Sequence, residues 1–588
     1  MLSRYFQHIA DAPPKRIFLF LFILAFALRL IGVNYGYWHG DERVNEAAKV
    51  LTGQLIPGQH FYPPLLNYIN AVFLGILYAI GRIIPIWHST AEFRAQYFAD
   101  PTAFYLTART VTAAMGAIIA PLFYIFAKSL RLSSKSCLTI GILGLLIPAM
   151  IFLCHISKSD IPLSVCSVLV FIAILKKNDN PHSLKYDFFL GVSIALAVSF
   201  KHSYVIMAAP LMLGHLILFS LRYGAQLGVK TILISSAFML PIWCVLNIGI
   251  LLDIQNFIDY QKIQAQMSVR SEEGLVSSFS AWAYWAGHPS YGINWIATVL
   301  FLLTPFYINS KYCAIGSKSL INLFWTATFI SMIVVIVISG SRQHSGLWIP
   351  YFTCMQLFAA LVITDAIFHK DRPKRTKLAC GLTLAAFLSV SLLGSIEIWR
   401  QALSKPIADE VADFINANYK DRKILTSFEI RLPKQKIAQT DERRRHQNLA
   451  DKYGITLPEQ AQERLIESSD PDAVYYYGLP GVMFGLEKAD DDSLEGAVKP
   501  FAWPLQDEEW HLKYWTSKGF SILVVSNYEY FLNESGVPQF FNFYSELEKN
   551  CSKAVSFDAR KPFFLEPNVT VFDCTDHKDL SALKEGQK

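Results

Sequence analysis

The sequence predicts a polytopic α-helical membrane protein that ends in a small α/β domain outside the membrane. Three observations carry this reading. Of the 588 residues, 53% are hydrophobic and 17% charged, and the mean hydropathy is +0.31, more apolar surface than a soluble chain easily hides. Apolar runs of helix length recur from residue 17 to residue 396. After about residue 400 the runs stop, and short amphipathic and β-like stretches alternate.

The runs fall near 17–33, 65–86, 104–127, 137–154, 161–175, 188–200, 203–221, 231–252, 293–309, 319–339, 347–367 and 379–396. The first ends without a small-residue cleavage signal, so it reads as a retained signal-anchor. Basic residues then set orientation. Lys15–Arg16, Lys128/Arg131/Lys135, Lys176–Lys177/Lys185, Arg222/Lys230, Lys311/Lys318 and "HKDRPKRTK" (369–377) belong on the cytoplasmic side. Counted back from that last stretch, the loops alternate correctly as far as residue 128, where the scheme breaks. If 65–86 crosses, the basic loop 128–136 is forced outside. The repair is an interfacial or re-entrant 65–86, consistent with its Pro-Pro start, Gly75, Gly81, Arg82 and Pro85. About eleven spans result, with the N-terminus cytoplasmic and the C-terminus outside.

This divides the chain into a membrane domain, 1–400, and an extracytoplasmic α/β domain, 401–588. In the second, "KPIADEVADFINANYKDRKILTSFE" predicts a helix and then a strand. "FSILVVSNYEYFL" (520–532) predicts a buried strand, "FFNFYSELEKN" a helix and "NVTVFDC" a closing strand, while "QKIAQTDERRRHQNLADKYG" predicts a solvated helix face. Seven of nine cysteines lie in apolar stretches; Cys551 and Cys574 lie in the polar third, as a disulfide or as two free thiols. Asn533 and Asn568 sit in N-x-S/T sequons that matter only in a eukaryotic secretory host. A net charge of +6 needs no nucleic-acid partner.

With this topology, polar residues collect at the outer ends: Asp41, Glu42, His60, "HISKSD" (155–160), Lys201–His202, the long loop 253–292 and "SGSRQHSG" (339–346). Charge placed at a membrane is costly, which makes the set a candidate site. Each member also has a plain alternative. Asp41 and Glu42 suit the start of a helix. Lys201 suits a snorkelling role, as do Arg342 and His344 in their loop. His155 and Lys158 suit an ordinary loop. Arg109, inside an apolar helix, needs an anionic partner, and Asp160 is the obvious candidate. Trp282, Tyr284, Trp285 and Tyr291 read as an interfacial aromatic belt.

Several segments in order shift the balance. A first external loop with Asp-Glu followed by "YPPLLNYINA" resembles the GT-C membrane glycosyltransferases, and family 39 in particular. That family includes the dolichyl-phosphate-mannose–protein mannosyltransferases and the lipid A aminoarabinose transferases. "FYLTARTVTAAMGAIIAPLFYIFAKSL", "HISKSDIPLSV", "GVSIALAVSFKHSYVIMAAPL" and "KPIADEVADFINANY" resemble later family segments. The likeness covers most of 15–420 and the remainder more loosely.

The resemblance implies sugar transfer from a polyprenyl-phosphate donor, bound from the outer leaflet, to a lipid, polysaccharide or protein acceptor. It makes Asp41 the catalytic base, with Glu42 orienting Asp41 or the acceptor. Lys201, Arg342, His344 and Arg109 are then candidates to bind the donor phosphate. Asp160, Lys158, His155, His60 and His202 line the second-loop or acceptor side. A divalent metal is required by some members only, and its ligands here are unknown. Where the aminoarabinose transferases have Glu-Lys before Pro-Pro, this chain has His60-Phe61-Tyr62, which argues against a lipid A substrate and against a metal ligand carried over there. A bacterial inner or plasma membrane is favoured over the endoplasmic reticulum. The competing classes are a transporter, which should show repeated halves and charge near the midplane, and a catalytically silent scaffold.

Overall fold

The computed structural model describes residues 7, 9–35, 42–57, 60–99, 101–268, 274–311, 313, 315–340, 343–369, 372–419, 422–427, 476–479, 510–517, 519–533, 538–558 and 568–575. The chain separates into two compact units. One contains 1–34, 40–77 and 105–403; the other contains 35–39, 78–104 and 404–588.

Every predicted apolar run is helical in the membrane unit. Among the described residues, seven helices are long and apolar enough to cross a membrane, including Lys318–Ser339, Ala225–Leu246 and Ser345–Phe368. Leu65–Ile83 is another of the seven. Length and composition therefore do not set it apart from the spans, and its expected interfacial placement rests on loop charge alone. Pro14–Leu30, Asp160–Asp179, Leu184–Phe200 and Asn294–Asn309 form from the other runs.

Two runs are interrupted. The run 137–154 divides into Ser134–Leu143 and Pro148–Leu153, because Pro148 has no N–H to continue a helix through it. Gly144, at the start of the break, lies where an added Cβ would come 3.0 Å from the Ala120 Cα, so the chain passes close against the Ala120 backbone there. The run 104–127 divides at Ile118 into Thr102–Ala117 and Ile119–Ser129.

Ser345–Phe368 is enclosed by its neighbours along nearly its whole length, as expected of a helix apolar all round. Phe171 stacks on Phe324 at 4.6 Å beside it, with Phe126, Phe301 and Phe358 closing the cluster. Ala225–Leu246 is equally apolar but largely exposed, and its surface suits lipid. At the basic turn between Asp160–Asp179 and Leu184–Phe200, Lys177 and Asp187 form a buried ion pair at 2.7 Å.

The second unit contains a five-stranded sheet in the order β2-β1-β3-β5-β4, with β1 Lys423–Ser427, β2 Tyr476–Leu479, β3 Phe520–Ser526, β4 Ser552–Phe557 and β5 Val569–Asp573. β1 runs parallel to β2 and β3, while β5 is antiparallel to β3 and β4. Alternation sorts the side chains into two cores. Ile424, Ile522, Val524 and Val571 face Val411 and Ile415 of the helix Ile407–Asn418. Leu425, Leu523, Val525 and Phe572 face Trp515, Phe543 and Leu547 on the opposite side. The predicted strand over 520–532 stops at Ser526, where Asn527 takes φ 44° and a short helix, Tyr528–Asn533, begins. β4 was not foreseen. Cys551 and Cys574 are joined by a disulfide, which resolves the choice left open above. The stretch 435–454 lies outside the described residues.

Candidate functional site

The site is built around the short connection 154–159, between Pro148–Leu153 and Asp160–Asp179. The plain-loop alternative for His155 and Lys158 meets a connection in which every residue from His155 to Asp160 is buried. Two ion pairs meet it.

The first joins Glu42 to Arg109. Arg109 Nε donates to Glu42 Oε1 at 2.7 Å and Nη2 donates to Oε2 at 2.9 Å, with both side chains fully enclosed. The two parallel bonds suit the planar guanidinium. The Ser157 backbone N–H donates to Glu42 Oε1 at 3.1 Å, and Arg109 Nη1 donates to the Val33 carbonyl at 3.2 Å. Asn70 Nδ2 donates to Ser157 Oγ at 3.1 Å. One carboxylate thus ties the first loop to the helix Thr102–Ala117 and to the 154–159 connection.

The second pair joins Lys201 Nζ to Asp160 Oδ1 at 2.5 Å. Asp160 opens its helix, where the exposed N–H groups favour a negative charge. A Cβ added to Gly346 would lie 3.3 Å from Asp160 Oδ2 and 3.1 Å from the His344 ring, so His344 and Asp160 share one small space. His344 caps Ser345–Phe368, its Nδ1 accepting from the Leu347 N–H at 3.3 Å.

These pairings correct the expected one. Arg109 pairs with Glu42, and Asp160 with Lys201. Arg109 was also a candidate for donor phosphate, but its Nε, Nη1 and Nη2 already serve protein acceptors. Asp41 and Arg342 lie outside the described residues. The helix that Asp41 was expected to cap begins at Val44 with Arg43 in the cap position at φ 48°, two residues beyond Asp41.

His155 is buried, with neither ring nitrogen hydrogen-bonded. Burial pushes its pKa down to about 3, and the Arg109 charge adds to the shift. Lys158 is buried in the same connection.

His60 and His202 form a third group. His60 Nε2 lies 2.7 Å from Asp253 Oδ2, and both imidazoles meet the Phe257 ring edge-on, at 6.0 and 5.1 Å. Asp253 and Phe257 fall in the loop 253–292 and Ser157 in "HISKSD", both expected at the outer face, but none of the three stands out by itself in the sequence. Asp253 was visible only as an acid at the end of the run 231–252, and a backbone donor such as the Ser157 N–H leaves no mark in a sequence. The aromatic belt is corrected in part: Tyr291 is buried, donates its hydroxyl to Gln401 Oε1 at 2.9 Å and packs on Phe152 at 5.3 Å. Among the described residues, no group of three or more His, Cys, Asp or Glu is placed to hold a metal ion.

No protein-family model matches the sequence, and no curated protein does. Among solved structures, the chain is similar to apo ArnT from Cupriavidus metallidurans at 12% identity and a TM-score of 0.48, covering 95% of this chain and 99% of that one. ArnT bound to undecaprenyl phosphate matches at 12% identity and a TM-score of 0.43, over 94% of this chain and 97% of that one. An oligosaccharyltransferase from Archaeoglobus fulgidus, in complex with zinc and sulfate, matches at 10% identity and a TM-score of 0.45, over 91% and 72%. Similarity at this level assigns no residue a role.

Proposed function

We propose that the chain is an integral membrane glycosyltransferase that moves one sugar, with inversion, from a polyprenyl-phosphate donor to an acceptor hydroxyl on the extracytoplasmic face. The observation that carries this reading is the buried Glu42–Arg109 pair, which fixes the first loop immediately beside Asp41. A chain that needed Glu42 only to start a helix has no reason to bury it against an arginine 67 residues away.

In this mechanism Asp41 takes the acceptor's proton as the sugar–phosphate bond opens. Glu42, paired to Arg109 and to the Ser157 N–H, holds the loop. Lys201, steadied by Asp160, neutralises charge on the departing phosphate together with Arg342 and His344.

The test is sugar transfer from a synthetic polyprenyl-phosphate-hexose to membranes of cells lacking the chain, with mass spectrometry of the glycolipids and glycoproteins formed. Asp41→Asn should lose on the order of 10²–10⁴-fold in rate at unchanged melting temperature. Transfer by Asp41→Asn at the wild-type rate would remove the base, and no transfer by the wild type would remove the enzyme.

A further inference from the structure

His60 is an unusually placed histidine. It is 2% exposed, and its Nε2 lies 2.7 Å from the Asp253 carboxylate. Only a proton on Nε2 makes that contact a hydrogen bond. Asp253 is itself held, its Oδ1 accepting from Asn256 Nδ2 at 2.9 Å, and the His60 carbonyl accepts from Gln261 Nε2 at 3.0 Å. Ring and backbone are both fixed by the helix Ile254–Ser268 and the residue before it.

That leaves Nδ1, which is buried and has no hydrogen-bond partner. A proton there would be a buried donor with nothing to receive it, so Nδ1 presents a lone pair. Leaving such an atom unmatched costs stability unless something else fills the place. Phe257 and Tyr260 stand edge-on to the imidazole at 6.0 Å each, and Phe61 meets Tyr260 at 5.1 Å. Across Phe257, His202 Nε2 is a second buried ring nitrogen without a partner. The group is joined to the first loop, because Arg43, next to Glu42, lies over the Tyr62 ring at 4.9 Å.

From this geometry we propose that His60, oriented by Asp253, belongs to the acceptor subsite and takes a hydrogen bond at Nδ1 from a hydroxyl of the acceptor. The proposal rests on the glycosyltransferase reading above. It also narrows the acceptor. A lone pair backed by a carboxylate and ringed by aromatic edges favours an uncharged, hydroxyl-bearing molecule with an apolar face. It disfavours a carboxylate or phosphate at that point.

Two near-isosteres separate this role from a structural one. The Asn amide reaches about as far as Nδ1, and the Gln amide about as far as Nε2. His60→Asn keeps an acceptor for the hydroxyl and gives up Asp253; His60→Gln keeps Asp253 and gives up the hydroxyl. With a synthetic polyprenyl-phosphate-hexose donor and membranes of cells lacking the chain as acceptor, His60→Gln should raise the half-saturating amount of membrane about tenfold. His60→Asn should raise it less than about threefold, and the half-saturating donor should not move in either. Asp253→Asn, which leaves His60 in place, should raise the membrane requirement without touching the donor.

If the wild type transfers sugar and Gln performs as well as Asn, or Asp253→Asn changes nothing, the subsite assignment fails while the enzyme reading stands. If the wild type transfers nothing, the enzyme reading fails first. A wild-type rate lost to a chelator and restored by zinc, with His60→Gln insensitive to both, would give Nδ1 to a metal and overturn the proposal.

Discussion

Arg109 holds Glu42 by two nearly equal bonds, 2.7 and 2.9 Å, with no exposed surface on either side chain. Breaking such a pair from one side leaves the other charge buried and uncompensated, which typically costs about 3–5 kcal/mol. Arg109→Met and Glu42→Gln should each lower the melting temperature of the detergent-purified protein sharply. The double variant Glu42→Gln/Arg109→Met, which removes both charges, should recover more than half of the larger single loss. Additive losses in the double variant would show that the two residues act independently.

Loop 128–136 is expected on the cytoplasmic side, with 65–86 not crossing. Ser134 sits at the start of the helix Ser134–Leu143, whose N-cap Ser133 accepts from the Ser136 N–H. A Ser134→Cys variant in intact cells should resist an impermeant thiol reagent and react after permeabilisation. Labelling from outside would restore the crossing and leave the chain with one more span.

The Cys551–Cys574 disulfide joins residues 23 apart in sequence and encloses the whole of β4 and β5. Loop-closure entropy puts its stabilisation at roughly 3 kcal/mol. Cys551→Ser/Cys574→Ser should therefore expose the C-terminal unit to limited proteolysis at temperatures where the wild type resists. The membrane unit should keep its own protection. Equal resistance in both proteins would mean the bridge adds nothing there.

His155 gives the protein an acid-sensitive point. Its folded pKa is depressed to about 3, against an ordinary value of 6.5. The unfolded chain therefore takes up the proton first. The stability contributed by the neutral ring is complete above pH 6.5 and drains away as pH falls toward 3. Between pH 7.5 and 5.5 the loss should be roughly 1 kcal/mol. His155→Met should flatten that part of the melting-temperature profile. An unchanged slope in the variant would place the acid sensitivity elsewhere.

Much of the fold could be read from periodicity. The helices arise where the apolar runs are, and the two faces of β1 and β3 separate Ile424 from Leu425 and Ile522 from Leu523, as alternation requires. The break before Pro148 was hidden because hydropathy is continuous across it. The pairings of the candidate site residues were not legible in the sequence. Arg109 in an apolar helix announces that an anion is near, but Glu42 and Asp160 satisfy that need equally on paper. Only the packed helices decide between them. Asp253 lies 193 residues from His60, beyond any local pattern.

The Glu42 contacts also order events during synthesis. Glu42 leaves the ribosome 67 residues before Arg109 and 115 before Ser157. Over that interval its carboxylate has neither partner and stays hydrated, because a lone buried charge is unaffordable. Glu42 meets both partners only after the third and fourth apolar runs have been inserted. A nascent chain halted before Arg109 therefore displays the Glu42 carboxylate with neither of these partners.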